Sequence, residues 1–84
     1  MTVHVLKCDH EPFAALWDGL KTCEVRKDDR GYAVDDTLKL IEREHGIQTG
    51  RCMFASVSHI QRGYGLPDDL VVLSVNVHMK TRDY

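Results

Sequence analysis

Apolar side chains recur at every second position in five stretches of the chain and at a spacing of three and four in one. The first spacing puts successive side chains on opposite faces of a strand; the second lines one face of a helix. In Val3–Cys8 the positions His4, Leu6 and Cys8 share a face, with Val3, Val5 and Lys7 opposite. Phe13, Leu16, Trp17 and Leu20 then form a helical stripe that predicts packing on a sheet. Asp9, Glu11 and Pro12 supply a capping residue, an acidic first turn and a proline whose missing donor is not needed there, and Gly19 is placed to end the helix in a left-handed cap.

A short strand follows, with Thr22, Glu24 and Arg26 on an outward or pocket-facing side and Cys23 and Val25 suited to a core. Thr37–Arg43 alternates Leu38 and Leu40 against Lys39 and Ile41, and His45–Gly50, with two glycines, predicts a hairpin to Arg51–Gln61. That run is longer than the ~5–6 residues of a common strand and mixed on both faces, as in a bent strand serving two sides of a barrel. Leu70–Met79 has the clearest register, with Val71, Leu73, Val75, Val77 and Met79 facing the core. Residues 79–84 carry no periodicity beyond Met79 and are expected to fray. The sum is one α+β domain over residues 1–84: a curled barrel of about five to six strands with one N-terminal helix packed on it.

A chain of 84 residues leaves no room for a second domain. With 11 Lys and Arg against 13 Asp and Glu it has no global positive field, so any nucleic-acid contact is expected to be local. The apolar runs fall short of the ~20 residues of a membrane span, and the start shows no signal-peptide pattern, which predicts a cytoplasmic protein without a membrane partner. Cys8, Cys23 and Cys52 are odd in number, widely spaced and set in strand-like runs, which favours reduced, buried thiols over a disulfide framework. Cys8 with His10 and His4 is the one metal-like grouping, but without a paired Cys-x-x-Cys knuckle neither a metal nor a cofactor is expected. His4 reads more readily as a hydrogen-bonded structural histidine than as a ligand. Trp17, on the helical stripe, reads as core rather than as a base-stacking platform.

The candidate chemistry lies between Lys21 and Arg30. Glu24 and Arg26, two apart, have Cα atoms roughly 6.5–7 Å from each other, and Lys21 stands at the turn before them. A carboxylate flanked by two cations suits a ligand with both donors and acceptors. The same spacing describes a solvated strand face whose ion pair is worth about 0–1 kcal/mol, and spacing alone favours that plainer reading. Four cations and three carboxylates fall in this segment, a surplus of one that fits a short, single-site ligand better than a long duplex.

The pattern Gly19-x-Lys21-x-x-Glu24-x-Arg26, directly after the first helix, resembles the ASCH domains of the PUA-like superfamily. The chain is similar, more closely, to a small uncharacterised bacterial and phage family within that group. The shared features are His4, Leu6 and Lys7; then Lys21, Thr22, Glu24, Arg26, Lys27, Asp29 and Arg30; then Gly50 and Arg51 after a hairpin. This ordered set reverses the preference for a solvated face. The resemblance implies a β-barrel-like fold with a cleft beside the Lys-Glu-Arg segment that takes RNA or a nucleotide-like ligand. On that reading Lys21, Thr22, Glu24, Arg26, Lys27, Arg30 and Tyr64 bind it. Arg26 and Arg30 would grip phosphate through their planar forks, Lys21 would add a point charge, and Glu24 would accept from a base edge or ribose hydroxyl. Tyr32 or Tyr64 would stack a base for ~1–3 kcal/mol, or else pack on the barrel.

Related domains include an acetylcytidine amidohydrolase and ribonuclease-type activities. The alternative is therefore a hydrolase acting on RNA or a modified nucleoside, with Lys21 as base or nucleophile and Glu24 shuttling a proton. The chain departs from the amidohydrolase pattern in having Glu at position 24 and no carboxylate in Leu70–Met79. A third reading is an accessory protein that binds a host protein. Whether the chain is an enzyme is left open by its sequence.

Overall fold

Each alternating run forms a strand and the helical stripe forms a helix. A computed structural model describes residues 1–82. In chain order these form β1 (Val3–Asp9), α1 (His10–Trp17), β2 (Cys23–Lys27), β3 (Thr37–Glu44), β4 (Ile47–Gln61) and β5 (Leu70–Arg82). The strands make one five-stranded sheet in the order β1-β3-β4-β5-β2, with β1 parallel to β3 and the other pairs antiparallel. The sheet curls into a half-barrel, and α1 lies against β1, β3 and β5. Its core is Leu6 and Cys8 from β1, Leu38 and Leu40 from β3, Met53, Ala55 and Val57 from β4, and Val71, Leu73 and Val75 from β5. Phe13 and Leu16 of α1 and Tyr32 of the β2–β3 loop close it.

The helix is shorter than its stripe. It ends at Trp17, Gly19 takes φ +77°, and Leu20 and Lys21 both donate backbone N–H groups to the Ala15 carbonyl. Leu20 therefore points into solvent instead of extending the stripe. Asp9 occupies the N-cap position without a side-chain capping bond; its carboxylate pairs with Arg43 at 3.4 Å.

Two boundaries differ from expectation. The β3–β4 turn is only His45-Gly46, both at positive φ (52° and 77°), so β4 begins at Ile47 rather than Arg51. The chain end also has a partner, in the first residues of the expected fourth run: Met79, Lys80, Thr81 and Arg82 pair with Phe54, Met53, Cys52 and Arg51, so these residues are strand and not frayed tail. Residues 83–84 of that expected tail lie outside the described residues. The expected bend of β4 arises from register shifts between Phe54 and Ala55 and between Val57 and His59. The second turns His59 outward and lets Ile60 pack against the core. The first brings Met79 to the surface rather than into the core.

Candidate functional site

β1 and β2 are the two edges of the curled sheet, and they approach without pairing. Side chains bridge the gap: Arg26 donates through Nη2 to the Lys7 carbonyl at 2.9 Å, and Arg30 through Nη1 to the Val5 carbonyl at 3.3 Å. A seam spanned by guanidinium groups, where a backbone ladder would close a full barrel, leaves concavity and charge together.

The register of β2 on β5 decides what faces the seam. Glu24 pairs with Leu73 and Arg26 with Val71, two core positions, so both charged side chains point inward. The expected core assignment of Cys23 and Val25 is thereby reversed: Cys23 is half-buried and Val25 half-exposed on the other face. A carboxylate is tolerated inside because it is paired. Arg26 donates to Glu24 Oε2 from Nε at 2.9 Å and from Nη2 at 2.7 Å, and Lys21 Nζ stands 3.6 Å from Oε1. Among the described residues Arg26 Nη1 has no partner, and Oε1 lies beyond hydrogen-bond distance of Lys21. The site thus holds a donor and an acceptor not fully committed.

Lys21, Glu24 and Arg26 line one open cleft of about 260 Å³, with Lys7, Asp9 and Arg43 at its walls and Cys8 within it. Burial first, and then the Glu24 charge, push the Cys8 thiol up to about 12 against the opposing pull of Arg26 and Lys21. The thiol is protonated at neutral pH and is not a thiolate nucleophile.

The other sequence-predicted residues fall on either side. Lys27 and Arg30 line an adjoining depression of about 210 Å³ that shares Arg26. Thr22 lines a third, of about 280 Å³, that shares Lys21 and includes Asn76 and Lys80. Tyr64, with φ 56° and 93% exposed in the β4–β5 loop, lines none of the three. Tyr32 is buried, its ring 4.8 Å from that of His4, and is not available to stack a base. His4 has the expected structural role, with Nε2 2.9 Å from Oδ2 of buried Asp36, which also accepts from the Thr2 and Ala33 amides. Those bonds, led by His4, hold Asp36 below the usual carboxylate range. A larger depression of about 310 Å³ lies on the β3–β4 hairpin, lined by Lys39 and Arg51 among others; it contains no carboxylate and nothing from the Lys21–Arg30 segment.

A second polar centre escaped the sequence reading. Glu42 continues the inward face of Leu38 and Leu40 and is fully buried. It accepts from Arg51 Nε (2.8 Å) and Nη2 (2.6 Å) and from the Thr49 hydroxyl, and His10 Nδ1 lies 2.8 Å from Oε2. A bulge opposite Glu42, with Gly50 at φ 95°, brings Thr49 and Arg51 onto it. Arg51 also lies over the rings of Phe13 (5.3 Å) and Trp17 (4.7 Å), so Trp17 is packed by cation and core as expected. A Glu two and four places after inward leucines was the available signal: a charge there demands a partner.

Among the described residues no three His, Cys, Asp or Glu side chains converge as metal ligands, and no helix is long and apolar enough to cross a membrane.

A family described as a domain of unknown function, DUF3850, matches residues 3–75. The chain is also 34% identical over 71 residues to an uncharacterised 12.9 kDa protein from the GpA 3′ region of Escherichia phage P2. That alignment covers 84% of this chain and 65% of the phage protein, so the chain spans just under two thirds of its relative's length.

Proposed function

The chain belongs to the DUF3850 family, and from that premise we propose that it is an RNA- or nucleotide-binding domain of the ASCH and PUA-like kind. The observation that carries this reading is the meeting of Lys21, Glu24 and Arg26 in one open cleft at the unpaired seam of the sheet. The Nη1 group of Arg26, not committed to Glu24 or the Lys7 carbonyl, with Lys7, Lys21 and Arg43 around it, suits phosphate at the mouth. Deeper in, Glu24 Oε1 accepts from an amino, imino or hydroxyl group. The cleft is smaller than the ~300–1,000 Å³ of drug-sized ligand pockets, as befits a single nucleotide unit.

Titration of the chain with ribonucleoside monophosphates and short RNA tests the reading. Lys21→Ala and Arg26→Ala, each checked for native circular dichroism, are expected to weaken binding about tenfold or more, or ~1.4 kcal/mol. Binding unchanged in both variants discards it.

The Lys21–Glu24 approach of 3.6 Å favours one second reading, hydrolysis of RNA or a modified nucleoside with Lys21 and Glu24 handling the proton. Incubation with acetylated nucleosides and with RNA decides this: product formed by the parent and lost in Lys21→Ala supports it, and no product, or equal product from both, removes it.

A further inference from the structure

The nucleic-acid reading of the central cleft is the premise of a more specific one. The central cleft shares a wall residue with the depression on each side of it. Lys21 belongs to the central cleft and to the one beside Thr22, and Arg26 to the central cleft and to the one beside Arg30, so they run in a row along β2. We propose that this row is a single track for a single-stranded oligonucleotide, with a terminal subsite at Lys80 and Asn76.

Charge is the first support. Seven basic side chains and three carboxylates line the row, a surplus of four in a chain whose formal net charge is −2. Basic groups concentrated along one line are the footprint of a polyanion.

The Lys80 subsite is the second. In the register of β5 on β4, Lys80 pairs with Met53, a fully buried inward residue, so its side chain leaves the strand on the concave side. Its Nζ lies 5.6 Å from the centre of the Trp17 ring. Lys80 and Lys21 line this depression with the polar groups of Thr22 and Asn76 and the apolar Leu16, Val75 and Val77, and it contains no carboxylate. Two ammonium groups over an apolar floor suit a phosphate and the sugar or base attached to it.

Length follows from the size of the parts. Each depression is smaller than the ~300 Å³ lower bound of drug-sized pockets, which gives about one nucleotide apiece and about three for the track. Glu24 in the middle repels an inserted carboxylate but accepts a base N–H, which favours an oligonucleotide over an acidic peptide.

The test is equilibrium binding of the full chain to the four ribonucleoside 5′-monophosphates and to mixed-sequence 5′-phosphorylated ribonucleotide trimers, over a range of salt. Trimers are expected to bind at least tenfold tighter than monophosphates, with a salt slope steeper by about 1.4, since each added single-strand phosphate contributes ~0.7. Lys80→Ala is expected to weaken the trimer three- to tenfold, to lower its slope by about 0.7, and to weaken the monophosphates by a smaller factor, since they have the central cleft as a second place to bind. If monophosphates bind but trimers bind no tighter, or if Lys80→Ala affects both alike, the track is overturned while the central-cleft reading stands. If neither ligand binds, the central-cleft reading itself fails. A glutamate hexapeptide that displaces the trimer at equal concentration overturns the nucleic-acid assignment.

Discussion

Arg26 places both Nε and Nη2 on a single oxygen of Glu24, at 2.9 and 2.7 Å, while the carboxylate's other oxygen faces Lys21 at 3.6 Å. The pair is asymmetric, since the Glu24 side chain is 5% exposed and the Arg26 side chain 22%. Removing the arginine strands a buried charge; removing the glutamate frees a guanidinium that still reaches water and the Lys7 carbonyl. Arg26→Ala is therefore expected to destabilise the fold by about 3 kcal/mol, the low end for a broken buried pair because Lys21 remains. Glu24→Ala is expected to cost about 1–2 kcal/mol. Urea denaturation of both variants checks the order; equal losses contradict it.

Cys8 provides a chemical probe of the same place. Its thiol, held up to about 12 by burial and by Glu24, stays protonated well above neutral pH. Iodoacetamide at pH 8 is expected to leave Cys8 unmodified in the folded protein and to alkylate it in urea, as read by mass spectrometry. Glu24→Gln removes one of the causes that raise the pKa, so it is expected to speed native-state labelling. Rapid labelling of Cys8 in the folded parent protein contradicts its assigned burial.

The turn after α1 delivers Lys21 to the cleft, and Gly19 makes that turn. At φ +77° an L side chain is strained even though nothing lies within 4 Å of where its Cβ would stand. Gly19→Ala is expected to cost about 1–2 kcal/mol from conformation alone. Gly19→Asn is expected to recover part of this, because asparagine tolerates the left-handed region. Thermal melts of the two variants give the ranking; an alanine variant as stable as the parent sinks the argument.

How much of this was legible in the sequence depended on whether the information was local. The order of elements, the Gly19 cap and the shared face of Glu24 and Arg26 follow from periodicity and turn chemistry within a few residues; that this face meets Lys21 in a cleft does not. What was missed is set by partners far away in the chain. The facing of β2 was reversed because pairing with β5, not the apolarity of Cys23 and Val25, fixes which side turns inward. The chain end read as a tail because its own side chains show no alternation; what makes it strand is pairing with residues 51–54, some thirty residues earlier. Glu42 sits in an alternating run like any polar strand residue; only the bulge opposite it, which seats Arg51, makes an interior carboxylate permissible.

That carboxylate also sets the pH response. Arg51 first, then Thr49 and His10, pull Glu42 from an ordinary value of 4.5 to about 2 against the effect of burial. A depressed folded pKa means stability that is fully present above the unfolded value of about 4.5 and lost as pH falls through about 2. His10 shifts the other way. The Glu42 hydrogen bond and the Glu44 charge raise it above 6.5, so its contribution is complete below 6.5 and disappears as pH rises through the raised value. Between pH 4.5 and 6.5 both groups are in their bonded, charged forms, and stability is expected to peak in that window. Glu42→Gln is expected to be less stable at every pH but to have a flatter acid limb. His10→Gln is expected to flatten only the limb above pH 6.5. Urea midpoints from pH 3 to 9 test both. An acid limb as steep in Glu42→Gln as in the parent protein places the acid sensitivity elsewhere.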